Sequence, residues 1–200
     1  CLLVLLLFFS VSGYIRHKLT SIVNTQFPNS KIHDLVLTPL PANPFCWSVY
    51  AVQTTGSLTQ GNAQYIVRRG LFAVAPRMLG AAECPMLRAN EKTTMKLVAV
   101  PAPKRPDLLW SGQFQAPLAE LKRLREKFCE VDALLRFTRV PAWTPLVEAG
   151  DIAVGDLRFD RSEGLDFAEM SVSVQSAIKG KCPKHVPPWV WPRQDLFSPK

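Results

Sequence analysis

The sequence is poor in the groupings that build a catalytic or metal centre. Its three histidines, His17, His33 and His185, lie far apart and lack any HExxH-type spacing, so each reads as a surface or structural residue. Five cysteines, Cys1, Cys46, Cys84, Cys129 and Cys182, are scattered without a CxxC pair, which gives neither a zinc ligand set nor a disulfide framework. They are expected as free, buried thiols in a reducing location. There is no GxSxG elbow and no glycine-rich phosphate loop. No RNA-binding aromatic signature, zinc-finger spacing or basic zipper occurs, so nucleic acid is not expected as a partner. Glycine is scarce as well, at 10 against 17 prolines, a balance that points to stiff connections and edge strands and away from flexible linkers.

What is present supports a folded domain with extensions. An apolar content of 48% over 200 residues suffices for a real core. The formal charge of +8 favours contact with anionic surfaces without fixing a fold. Fifteen uncharged residues, CLLVLLLFFSVSGYI, open the chain before Arg16, His17 and Lys18. A membrane span needs about 20 apolar residues, and the basic residues stand on the wrong side for a signal peptide. Residues 1–15 therefore read as the end of a truncated transmembrane helix, with Tyr14 at the interface and Arg16 and Lys18 on the cytoplasmic side. A buried N-terminal helix of a soluble core is the alternative.

Residues 16–30 read as an amphipathic stem, with Ile15, Leu19, Ile22, Val23 and Phe27 along one side. Residues 31–178 read as an α+β soluble domain, a mostly antiparallel sheet with one packed amphipathic helix. Lys31–Leu37 is its first strand, and Pro39, Pro41 and Pro44 are expected to forbid regular pairing after it. Cys46–Thr55 and Ala63–Phe72 form a hairpin about the turn Gly56–Asn62. Met95–Val100 is a short strand, and another extended piece begins at Trp110. Pro117–Phe128 is the clearest helix, with Leu118, Leu121, Leu124 and Phe128 on its apolar stripe. Ala133–Val140 is a strand or a helix continuation. Gly150–Asp160 and Leu165–Val174 are antiparallel strands joined by RSEG. Residues 179–200 are a proline-rich basic tail carrying Trp189 and Trp191.

Three residues are candidates for a cleft. Asp156 and Arg158, two apart in GDLRF, share one face of the expected strand and read either as an acid–guanidinium pair facing a cleft or as a structural ion pair. Trp47 sits near the start of its strand, as an edge anchor or as a face for lipid or substrate. The basic surface of the 117–128 helix, with Arg136 and Arg139, reads as a solvated face broken by Glu120 and Glu126, with phosphate binding as the alternative. An anionic bilayer beside the stem is the simplest partner for the surplus charge.

Three segments together, TPLPANPFCWSVYAV (Thr38–Val52), LLRFTRVPAW (Leu134–Trp143) and VGDLRFD (Val154–Asp160), resemble the C-terminal region of the YdjM-like bacterial inner-membrane metal-dependent hydrolases. The resemblance implies a membrane-proximal accessory domain that caps or positions a membrane-embedded site. The family's presumed His and Asp metal ligands lie on membrane helices upstream, so no catalytic or metal-binding residue carries over to this chain. A divalent metal is implied only for that upstream part, and this fragment alone is expected to be inactive. The implied partners are the lipid bilayer and the protein's own transmembrane region, at the bacterial inner membrane with the domain in the cytoplasm. The alternative from the residues is a non-enzymatic membrane-anchored module that binds anionic lipid or a protein. A third, a secreted protein with a cleaved signal, requires disulfides.

Overall fold

The computed structural model describes residues 2–41, 43–57, 61–85, 93–146, 150–160, 162–165 and 167–173. The tail 179–200, with His185, Trp189 and Trp191, lies outside the described residues, as do Cys1 and Cys182. The fold is α+β, with three α-helices and two antiparallel sheets among the described residues, where an N-terminal helix and stem, one packed amphipathic helix and one mostly antiparallel sheet were expected. It divides into two units. The first is made of residues 1–56, 66–87 and 98–113, the second of 57–65, 88–97 and 114–200.

In the first unit a single helix, α1 (Leu2–Gln26), spans both the expected membrane end and the stem. Among the described residues no helix is long and apolar enough to cross a membrane. The second half of α1 follows its sequence pattern: Ile15, Leu19, Ile22 and Val23 recur at helical spacing and are buried, with Phe27 just beyond the helix end. They pack on Leu35, Trp47, Val49, Ala51, Phe72 and Leu108. Burying each large side chain is worth about 1.5–3 kcal/mol, so this seam fixes the helix to the sheet.

That sheet has four strands in the order β1 (Ser30–Leu40), β2 (Asn43–Thr55), β3 (Gln64–Ala73) and β4 (Leu108–Pro117). The β1–β2 register runs from Ser30 opposite Thr55 to Pro39 opposite Trp47, with irregularities at Ile32/Asp34 and Pro39/Leu40. Pairing thus continues through Pro39, where the sequence suggested a break. Strand β1 is an edge, and an edge strand tolerates a residue without an amide hydrogen. Trp47 lies on β2, which has neighbours on both sides, so it is not the edge anchor that was expected. The Met95–Val100 strand reduces to a single bridge between Val98 and Gln113.

Gly70 on β3 is required by contact. An added Cβ would stand 2.7 Å from the Leu109 carbonyl oxygen and 3.3 Å from the Trp110 Cα, both backbone atoms that cannot swing away. Gly70→Ala is expected to cost about 1–3 kcal/mol, read as a lower urea midpoint at unchanged slope.

A disulfide, Cys46–Cys84, ties β2 to the short 3-10 turn Ala81–Glu83 across 38 residues. Cys46 and Cys84 pack with Leu40, Leu71, Ala73 and Ala81. Cys129 is disulfide-bonded as well. The expectation of free thiols is corrected here: spacing alone cannot reveal which distant cysteines the fold brings together.

The second unit carries α2 (Leu118–Lys127) and α3 (Cys129–Leu135), separated at Phe128, whose extended backbone (φ −123°, ψ 118°) ends the first helix. Leu118, Leu121 and Leu124 are buried as the stripe predicts. Pro117 precedes the first helical residue, one position earlier than expected. Tyr65, Phe114 and Trp143 form an aromatic cluster with ring centroids 5.0–6.2 Å apart. The second sheet has the order β5 (Pro141–Pro145), β6 (Ile152–Asp156), β7 (Glu169–Val172), antiparallel throughout. Its edge strand β5 begins and ends with proline, and Ala133–Leu135 belong to α3, so of the two readings of 133–140 the helix continuation holds as far as Leu135 and the strand begins only at Pro141.

Candidate functional site

Asp156 ends β6 with 1% exposure. Its carboxylate accepts from the Arg139 amide at 2.9 Å, the Arg158 amide at 3.1 Å, and the Arg158 guanidinium at 2.9 Å from Nε and 2.6 Å from Nη2. The two residues meet, but not as same-face partners on a strand. The Leu157 amide donates to Val140 and the Phe159 amide to the Asp156 carbonyl, so the chain turns at 157–159 and Leu157 is fully buried. The carboxylate therefore holds the turn closed from inside. Charge-assisted bonds to backbone amides and a forked guanidinium are among the strongest available for this.

Asp160, also 1% exposed, accepts from the Thr94 and Met95 amides at 2.9 and 3.1 Å. Thr94 in turn bonds through its hydroxyl to the Gly164 carbonyl and accepts from the Gly164 amide at 3.1 Å. Two buried acids in VGDLRFD thus brace one loop. The sequence reading singled out the first and passed over the second, although both sit in the same quoted motif.

Trp47, 3% exposed, belongs to the first unit. Its indole Nε1 donates to the Pro44 carbonyl at 2.9 Å, and its ring stands 6.1 Å from that of Phe8 on α1. Two of the basic positions considered for phosphate are engaged elsewhere: Arg125 and Arg136 both pair with Asp132, at 3.0 and 2.8 Å. His33 Nε2 meets the Thr54 hydroxyl at 2.7 Å, and His17 lies exposed on α1.

Arg68 on β3 was not singled out from sequence. It is 5% exposed, its guanidinium lies 3.5 Å from the centroid of the Phe27 ring, and it donates to the Gln53 side-chain carbonyl. Burial lowers its pKa to about 10, so it stays charged at neutral pH. The Phe27 ring face and the Gln53 carbonyl supply negative potential where no carboxylate pairs with it among the described residues. Only the tertiary fold brings Phe27, Gln53 and Arg68 together, so no local sequence signal marks this group.

Among the described residues no three His, Cys, Asp or Glu side chains are grouped to hold a metal, and no chemical step is assigned to a metal here. No family model, curated protein or solved structure matches the chain. The likeness to membrane hydrolases accordingly rests on the three quoted segments alone.

The conspicuous unassigned surface is the first half of α1. Val4, Leu5, Leu6 and Leu7 are each 55% exposed and Phe9 is 74% exposed, on the same helix whose second half forms the core of the unit. Tyr14, Arg16, His17 and Lys18 are exposed immediately after, with the Lys18 ammonium 5.9 Å from the Tyr14 ring centroid.

Proposed function

We propose that this is a membrane-proximal, non-catalytic domain held at a bilayer by the first half of α1. The observation that carries the reading is the contrast along one helix: apolar side chains exposed around residues 4–9, then a stripe buried under the sheet from Ile15 onward. Exposed apolar surface of this extent on a continuous helix marks a surface for lipid or partner, and Tyr14, Arg16 and Lys18 suit the headgroup level. The disulfides favour a compartment on the oxidising side of the membrane, in place of the cytoplasmic side suggested by the basic flank. The resemblance adds the finer reading, an accessory domain beside a membrane-embedded, metal-dependent hydrolase site. Its test is hydrolase activity of the full-length protein before and after chelation.

Vesicle sedimentation tests the membrane reading. The chain should partition onto phosphatidylcholine vesicles, and Leu6→Lys with Phe9→Lys should leave it in the supernatant at an unchanged melting temperature, since both side chains are exposed. A wild-type chain that stays in the supernatant sinks the reading.

A further inference from the structure

We infer that the β1–β2 hairpin tip and the turn after β3 form a second membrane contact, an interfacial wedge led by Phe45 and Met78. This rests on the membrane reading of α1 and extends it to residues that reading does not use.

The placement follows from contacts within the first unit. Phe8, inside the apolar half of α1, packs on Trp47, and Trp47 is bonded to Pro44 at the hairpin tip. The tip therefore stands at the height of the apolar half-helix, while Ile15 to Phe27 lie farther along the sheet. At that height Pro41 and Pro44 are exposed and Phe45 is 46% exposed. Next to the tip, the Val74 amide donates to the Phe45 carbonyl at 2.9 Å. Four residues on, Met78 is 80% exposed, with Arg77 exposed beside it.

The chemistry of the tip suits a poorly hydrated environment. Backbone donors and acceptors that leave water need internal partners. Pro39, Pro41 and Pro44 have no amide hydrogen to satisfy. The Phe45 amide donates to Asn43 Oδ1 at 3.0 Å, the Pro44 carbonyl accepts from Trp47, and the Phe45 carbonyl accepts from Val74. This internal pairing leaves few unpaired polar groups around the exposed phenylalanine, which lowers the cost of taking the tip out of water. Arg77 then lies where a lipid phosphate is available, since a cation beside an inserted apolar tip favours the headgroup plane. The three prolines of TPLPANPF thus receive a physical reason: they remove donors where water is lacking.

The test is vesicle partition of Phe45→Ser with Met78→Ser, compared with wild type and with Phe167→Ser, an exposed phenylalanine in the other unit. The double variant should bind phosphatidylcholine vesicles about ten-fold more weakly at an unchanged melting temperature, while Phe167→Ser binds as wild type. Wild-type affinity for the double variant overturns the wedge and leaves the α1 reading standing. Equal weakening by Phe167→Ser also overturns it, because the loss would then be a general effect of surface polarity. A wild-type chain that binds no vesicles overturns both.

Discussion

Replacing Cys46 and Cys84 by alanine is expected to lower the unfolding free energy by about 4 kcal/mol. The cross-link spans 38 residues, and in the chain-entropy account a loop of that length costs the cross-linked unfolded chain about this much freedom. The segment it closes includes all of β3 and the β2–β3 connection, so the reduced chain has far more unfolded arrangements to lose. Cys46 is fully buried and Cys84 nearly so, hence the bond is shielded from reductant in the native state and should reduce only with unfolding. Urea unfolding followed by tryptophan fluorescence gives the measurement. The double-alanine variant is cleaner than added thiol, because Cys129 is also disulfide-bonded. An unchanged midpoint would mean that the bond adds nothing and that the proposal of an oxidising compartment has lost its main support. Trapping free thiols in intact cells at the time of lysis tests location directly. A chain whose Cys46 and Cys84 alkylate on denaturation without prior reduction belongs to a reducing compartment.

The sequence was most informative where one element's periodicity meets one face of the core. The stripe from Ile15 to Val23 and the stripe Leu118, Leu121, Leu124 appear at helical spacing and are buried as such. The β2–β3 strands were legible from their β-branched and aromatic content. What was not legible depends on contacts between distant segments. The pairing of Cys46 with Cys84 is one case, and the meeting of Arg68 with Phe27 and Gln53 is another. Proline misled at one position. Pro39 was expected to forbid regular pairing, yet it lies paired in β1; the broader expectation of prolines on edge strands fits both β1 and β5, which Pro141 and Pro145 bound. An edge position asks for only half of a strand's hydrogen bonds, so the missing donor costs little there. GDLRF misled through period: alternation suggested a continuing strand, whereas the buried Asp156 carboxylate draws the following amide and guanidinium back onto itself.

Asp156→Ala is expected to cost about 3–5 kcal/mol. The side chain is 1% exposed and satisfies two backbone amides, of Arg139 and Arg158, besides the Arg158 guanidinium. Removing it orphans both amides and strips a partly buried cation of its partner, and each buried group left unpaired carries its own desolvation penalty. Asp156→Asn should fall between, because one oxygen still accepts while the new amide group faces the guanidinium. The readout separates a clamp from a ligand-facing pair. A clamp lowers the melting temperature in both variants, with alanine the lower, and leaves vesicle partition of the still-folded protein unchanged, since α1 and the hairpin tip belong to the other unit. A ligand-facing pair leaves the melting temperature near wild type and abolishes hydrolase activity in the full-length protein. The bonds to main-chain amides decide the expectation: a carboxylate that holds two backbone amides and a guanidinium in place has no lone pair directed at solvent to spare for a substrate.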